Sequence, residues 1–270
     1  LLILDRILFI VHFKTLRVSR KNQASRVASR RQRPRKKVPM PVFRRRILIA
    51  TDPLEAGFRC RAALEDDFHH FRVELVVRDG LIAFVRGEAP RHPYSLCPSA
   101  AGQLQQLVGT PPATSAHGVM RQVDPSEQCT HMLELSGLAA AAASRALPRR
   151  RYDIEVPLRI EGRTYATLDR DGIRLLAWDI QDLDIVGPPP YEGIGLRQGM
   201  ARWAFAHLTE DMAEAALVLR RCAVISMGKN RPLDAQRHAR TTGACYAQQP
   251  GRAPLALRQV GSTCNFTWQP

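Results

Sequence analysis

The sequence predicts an α+β fold: an antiparallel β-meander packed against helices, with a C-terminal extension made of a second meander and a long helix. Three observations lead there. Apolar residues alternate with polar ones over 58–88 and again over 152–180, and Asp-Gly or Glu-Gly pairs turn the chain inside both blocks. Segments of helical period follow each block.

In the first block Phe58, Cys60, Ala62 and Leu64 alternate with Arg59 and Arg61. Phe71, Val73, Leu75 and Val77 then alternate with Arg72, Glu74 and Val76, and Asp79-Gly80 turns the chain into a third run from Leu81 to Glu88. A period of two places one set of side chains on one face. Pro90, Pro93 and Pro98 end the meander. Ser99 is positioned to cap a helix in which Ala100, Leu104, Leu107 and Val108 recur at helical spacing until Gly109. Residues 110–123, rich in Pro, Thr and Ser, read as a loop.

Asp124-Pro125-Ser126-Glu127 supplies an acceptor at N-cap, Pro at N1 and Glu at N3, and so predicts the start of a helix carrying Leu135, Leu138, Ala139 and Ala142 and fading at Pro148. The second meander runs over 152–160, 163–169 and 173–180, joined by Glu161-Gly162 and Asp171-Gly172, and Gly187-Pro188-Pro189-Pro190 breaks it. Thr209, followed by Glu210 and Asp211, opens a long helix with Met212, Ala216, Leu219 and Ala223 on one face, ending near Gly228. Residues 229–270 read as mostly irregular. The two β-blocks are too unlike in sequence to be a repeat.

The net charge of +15 is unevenly spread: residues 1–46 hold 15 of the 40 Lys and Arg and one acid, Asp5, leaving 25 bases against 24 acids in the rest. The body therefore lacks the field expected of a nucleic-acid or anionic-membrane protein. The expected division is a disordered basic segment over 1–46, an α+β domain with a Cys/His site over 47–148, and a meander-and-helix extension over 149–270 that the sequence does not separate from the same domain. With 45% hydrophobic residues the body can bury a full core. The apolar start is interrupted by Asp5 and Arg6, and its positive charge follows the apolar run, the wrong order for a signal peptide and too short for a membrane span. The chain starts with Leu and its first Met is Met40, so residues 1–39 are read as sequence upstream of the true start. If translated, Arg30 to Lys37 binds nucleic acid through charge alone and without sequence preference. Six cysteines, at 60, 97, 129, 222, 245 and 264, without an export signal or dense spacing, imply reduced thiols and a cytoplasmic location.

The residues that carry chemistry are Cys129 and His131 at the opening of the Ala-rich helix, Cys97 just before the shorter helix, and His69-His70 at the entry to a strand. A thiol before a helix has backbone N–H groups close by, which favours the thiolate and suits a nucleophile or a metal ligand; the alternative is a small buried residue packing the junction. Side chains two apart on a helix point about 200° apart. Cys129 and His131 therefore bind one metal together only if Cys129 lies in the loop before the helix, and His131 is otherwise a supporting donor or a core histidine. His69 and His70 face opposite ways, so one of them enters a shared site. Cys60 and Cys222 read as core, and Cys245 and Cys264 carry little signal. Phosphate loops, nucleophile elbows and paired carboxylates are absent from the sequence.

From His69-His70-Phe71, through Pro93 to Pro98 and Leu104 to Gly109, to Cys129-Thr130-His131-Met132-Leu133-Glu134-Leu135, the chain resembles an uncharacterised bacterial family, domain of unknown function 2889. Tyr152-Asp153-Ile154, Glu214 to Arg221 and Cys245-Tyr246 extend the resemblance to about Phe266. The family implies no activity. A more distant analogy, resting on ligand order alone, is to iron–sulfur scaffold proteins of the IscU and NifU type. It implies His69, Cys97 and Cys129 as ligands, with His where the scaffolds have Cys and Phe71 where they have Asp.

The leading expectation is thus a metal-ion or iron–sulfur binding protein with Cys97, Cys129 and His69 as ligands, His131 and His70 as secondary candidates, and zinc or an iron–sulfur species as cofactor. Two rivals stand beside it: a thiol-dependent enzyme with Cys97 or Cys129 as nucleophile and His131 or His69 as base, and a non-catalytic interaction protein whose cysteines are core.

Overall fold

A computed structural model describes residues 40–229 and 231–268. Its strands are β1 (Val42–Leu54), β2 (Gly57–Asp66), β3 (His70–Arg78), β4 (Leu81–Arg91), β5 (Arg149–Pro157), β6 (Arg163–Arg170), β7 (Ile173–Gln181) and β8 (Asp184–Gly187); its α-helices are α1 (Thr130–Ser144), α2 (Met200–His207) and α3 (Glu210–Ile225). The strands form one antiparallel sheet in the order β4-β3-β2-β1-β5-β6-β7-β8. The α+β architecture expected from the two meanders is the one found.

What joins the meanders is β1, which the alternation from Gly57 onward does not announce. Phe43, Ile47 and Ile49 do alternate, but Arg44, Arg45 and Arg46 make the segment read as the end of a basic tail. β1 pairs with β2 from Arg45↔Asp66 to Leu54↔Gly57. On its other edge it pairs with β5 from Val42↔Pro157 to Ala50↔Arg149. The three arginines thus belong to a central strand and not to the basic segment, whose remainder up to residue 39 lies outside the described residues.

The capping signals also land differently. Asp124 accepts the Ser126 N–H at 2.9 Å, but it caps only a three-residue 3-10 turn, Pro125–Glu127. Glu127 turns away to Arg252 at 2.6 Å. α1 begins afterwards, with Cys129 at its N-cap. The shorter helix is a ten-residue 3-10 helix, Pro98–Leu107, capped by Cys97 instead of Ser99. Two short elements, β8 and α2, escape the sequence patterns; α2 buries only Met200 and Ala204, too few positions to define a period.

Both long helices pack on one face of the sheet: α1 against β1, β2 and β3, and α3 against β5, β6 and β7. The Ala run of α1 is buried on all sides from Met132 to Ala143, which is the pattern of a core helix and not of an amphipathic surface one. Glu214, buried in α3, accepts the Tyr152 hydroxyl at 2.5 Å and is flanked by Arg145 and Arg150, so this interior carboxylate is fully partnered. The opposite face of the sheet is a lattice of cross-strand ion pairs, among them Arg44 with Glu155 at 2.9 Å and Arg46 with Asp153 at 2.7 Å. Residues after α3 are irregular, as expected, yet firmly held: Cys264 N–H donates to the Asp67 carbonyl at 2.7 Å, and Tyr94 bridges to Arg258. Among the described residues no helix is long and apolar enough to cross a membrane.

Gly137 marks where α1 meets the loop above it. A Cβ there would lie 1.9 Å from the Ala116 carbonyl oxygen and 3.0 Å from a Val119 methyl. Ala is favoured over Gly in a helix by about 1 kcal/mol, but a backbone atom cannot give way as a flexible side chain does. Overpacking of this kind costs ~1–3 kcal/mol. Gly137→Ala should therefore lower stability, by about 2 kcal/mol in a urea unfolding titration; a rise in the midpoint would mean that α1 does not sit so close to residue 116.

Candidate functional site

The alternation Cys60, Ala62, Leu64 continues to Asp66, and Phe43, Arg45, Ile47 holds an arginine in the buried phase. Both charged side chains therefore point into the core, where Arg45 is 2% and Asp66 0% exposed. The β1–β2 register sets them directly opposite each other. Arg45 Nε and Nη2 donate to Asp66 Oδ2 at 2.8 and 2.5 Å. Asp66 Oδ1 accepts the backbone N–H groups of Phe68 at 2.7 Å and His69 at 2.8 Å, closing the turn that carries the chain into β3. The same oxygen lies 3.0 Å from His69 Nδ1. Burial alone would push this carboxyl up, but the charges of His69 and Arg45 and the hydrogen bonds outweigh it and hold Asp66 well below the usual carboxylate range.

His131, the second residue of α1, meets His69 with ring centroids 4.0 Å apart. Phe71 stacks on both rings, at 5.5 and 5.6 Å. His131 Nε2 is buried and without a hydrogen-bond partner. Burial, followed by the proximity of His69 and Arg45, holds His131 well below the ordinary histidine range, so its ring is neutral. Asp66, His69 and His131 each offer a ligand atom, all within 4.8 Å of one another. Behind them Arg45 also approaches Glu134 at 3.7 Å, and Glu134 pairs with Arg221 of α3 at 2.9 Å. Cys222, fully buried beside this network, is pushed up to about 12, first by burial, and is a core residue as the sequence suggests.

The structure splits the ligand set read from the sequence. Among the described residues, Asp66, His69 and His131 are the one group of three or more His, Cys, Asp or Glu ligand atoms gathered within 4.8 Å, so Cys97, Cys129 and His69 do not converge in that way. His69 faces Asp66 and His131 instead. The reason is the start of α1: Cys129 is its N-cap in extended conformation, and His131 lies inside the first turn, so the two side chains leave in different directions. His70 stands on the other face of β3, 3.6 Å from Glu65 and 3.2 Å from Arg72. Cys97 and Cys129 are buried, and burial pushes both thiols up, Cys129 to about 11. Desolvation here overrides the helix N-terminus, the reverse of what an activated nucleophile requires. Asp66 was not singled out by sequence patterns of ligand type. Its signal was positional: an acid in the apolar phase of a strand.

Residues 49–145 match the family described as "Protein of unknown function (DUF2889)". No curated protein matches the chain. The match contains Asp66, His69, Cys97, Cys129 and His131 and ends before β5, short of the Phe266 limit of the resemblance read from the sequence. The matched part, from within β1 to the end of α1, carries the whole Asp/His/His cluster.

Proposed function

We propose that the protein binds a divalent transition-metal ion, zinc or iron, through His69 and His131, with Asp66 as the carboxylate that orients His69. The observation that carries this reading is the buried Nε2 of His131, left without a partner against a second imidazole. An unsatisfied buried polar atom costs ~1–3 kcal/mol, and a metal would satisfy it. Neutral imidazole is also the form that ligates. Asp66 is the less suitable direct ligand, since both its oxygens already accept hydrogen bonds. Its bond to His69 Nδ1 fits the outer carboxylate that fixes a ligating histidine and leaves Nε2 for the metal. Imidazole donors suit zinc and iron. Positions not filled by the two histidines would be open to water or a substrate.

Metal analysis and calorimetric titration of the full chain test this directly. About one equivalent of Zn(II) or Fe(II) should bind, and His69→Gln with His131→Gln should abolish it while Cys97→Ser and Cys129→Ser leave it in place. Binding that survives the double histidine change, or no binding at all, would overturn the reading.

The apo protein should also lose stability in mild acid. His131 has a lowered folded pKa, so its contribution is complete above the unfolded value of about 6.5 and is lost as pH falls below it. His117, pushed down to about 4 by burial and then by Arg221 and Arg220, acts in the same direction. His131→Gln should therefore make the decline below about pH 6.5 shallower without removing it. An unchanged slope would show that His131 is protonated in the folded chain.

A further inference from the structure

The face of the sheet turned away from α1 and α3 carries a groove that its ion pairs leave unfilled. Along β1 the buried phase is Ile47 and Ile49, so Leu48 and Ala50 point to the open face, and Leu48 is 48% exposed. Strand register builds the groove around them. Leu48 stands opposite Ala63 of β2 and Arg151 of β5, and Ala50 opposite Arg61 and Arg149. One strand further out, Ala63 faces Arg72 and Arg61 faces Glu74 on β3, and Glu88 and Arg86 of β4 complete that wall. Small residues thus occupy the middle and long charged ones both sides, which leaves a cavity of about 690 Å³. Three strand spacings, ~14 Å, separate the β3 and β5 backbones across it. A second hollow of about 590 Å³ shares Leu48, Ala63 and Arg151 and extends the groove along β1 toward Arg46 and Arg44.

The acids of the first hollow are already engaged. Glu74 pairs with Arg59 at 3.2 Å, Glu88 with Arg86 at 2.9 Å, and Asp171 accepts the Arg151 backbone N–H at 2.7 Å. Arg61 pairs with Asp52 at 2.5 Å, and Arg151 with Asp153. Arg72 donates from Nε to His70 Nε2 at 3.2 Å, and among the described residues neither it nor Arg149 has a carboxylate partner. Two guanidinium groups, one on each wall, therefore line the groove uncompensated. We propose that this groove binds a small amphiphilic anion, an apolar body carrying a carboxylate or phosphate. The floor supplies contact for the body, and the planar fork of Arg72 or Arg149 supplies paired N–H groups for the anion. The cavity falls in the ~300–1,000 Å³ range of small-ligand pockets. A floor of Leu48, Ala50 and Ala63 is too small to bury the apolar stripe of a docked helix, which needs a broad apolar sheet face. In the second hollow Glu155 and Asp153 match Arg44 and Arg46, so the excess of cations, and with it the anion, belongs at the Arg72 and Arg149 end.

Octyl phosphate and octanoate are the probes, titrated into the full chain with the amide NMR resonances of Ala50 and Ala63 as the readout. Both should shift these resonances saturably. Neutral octanol and inorganic phosphate, each lacking one half of the recognition, should bind about tenfold more weakly or worse. Arg72→Gln with Arg149→Gln should weaken octyl phosphate by about tenfold or more, since the charge-assisted bonds are lost. Leu48→Asp should abolish binding. Arg163→Gln, on β6 outside the groove, should change nothing; all four side chains are exposed, so an unchanged thermal midpoint serves as evidence of folding. Phosphatidylglycerol vesicles that displace octyl phosphate would place the anion in a lipid headgroup, and failure to displace it would assign a free amphiphile; both uphold the site. Absence of saturable shifts at millimolar ligand, octanol binding as tightly as octanoate, or an affinity untouched by the double arginine change would overturn the proposal. The groove lies across the sheet from the histidines, so failure of metal binding there would leave these titrations intact.

Discussion

The Arg45–Asp66 ion pair is the constraint on which the rest of the structure depends. It sits at the end of the β1–β2 ladder, fully buried, and every element of the site touches it. Asp66 closes the turn into β3 and holds His69. Arg45 reaches Glu134 on α1, which reaches Arg221 on α3. Next along the chain, Asp67 binds Lys229 at 2.8 Å and the backbone of residues 264 and 266. Two adjacent acids thereby tie both long helices and the C-terminal segment to one corner of the sheet. A buried pair of this kind adds little net stability over apolar residues of the same volume, but removing one partner costs ~3–5 kcal/mol because the other charge is stranded. Its value is in position: it leaves one answer for where His69 and α1 can go.

That position explains why the two histidines meet. The turn after β2, closed by Asp66, delivers His69, and the buried helix packed over β1 to β3 delivers His131. Phe71 packs on both rings and Phe68 on His69. His131 is held neutral there, next to a carboxylate that stays ionised. The combination is costly for a purely structural core and economical for a ligand site.

The fold was legible in the sequence wherever alternation was uninterrupted. β2, β3, β6 and β7 follow from it, as do the long helices, because burial on one face leaves a period that local sequence displays. β1 was hidden by the same residue that organises the site: Arg45 in an apolar phase makes a central strand look like a basic tail. The Asp-Pro-Ser-Glu signal was correct chemistry for a cap but could not tell a three-residue turn from a long helix, since α1 is held by burial and not by its N-terminus. Of the site, His69 and His131 were visible as candidate ligands, whereas their pairing with Asp66 depends on strand register, which local patterns do not encode. The place of the Cys245 segment was illegible for a related reason: its neighbours have no period, and only long-range hydrogen bonds, such as that from Tyr246 N–H to the Gln128 carbonyl, bring it to the start of α1.

The central claim is that the interior holds His131 neutral and unpartnered beside His69, ready for a metal. Nitrogen-15 NMR of the imidazole rings in the full chain measures this most directly. At pH 6, where an unperturbed histidine with pKa near 6.5 is mostly charged, the His131 ring should be neutral, and Zn(II) should shift its nitrogen resonances together with those of His69. A His131 that titrates near pH 6.5 and ignores the metal would contradict the account.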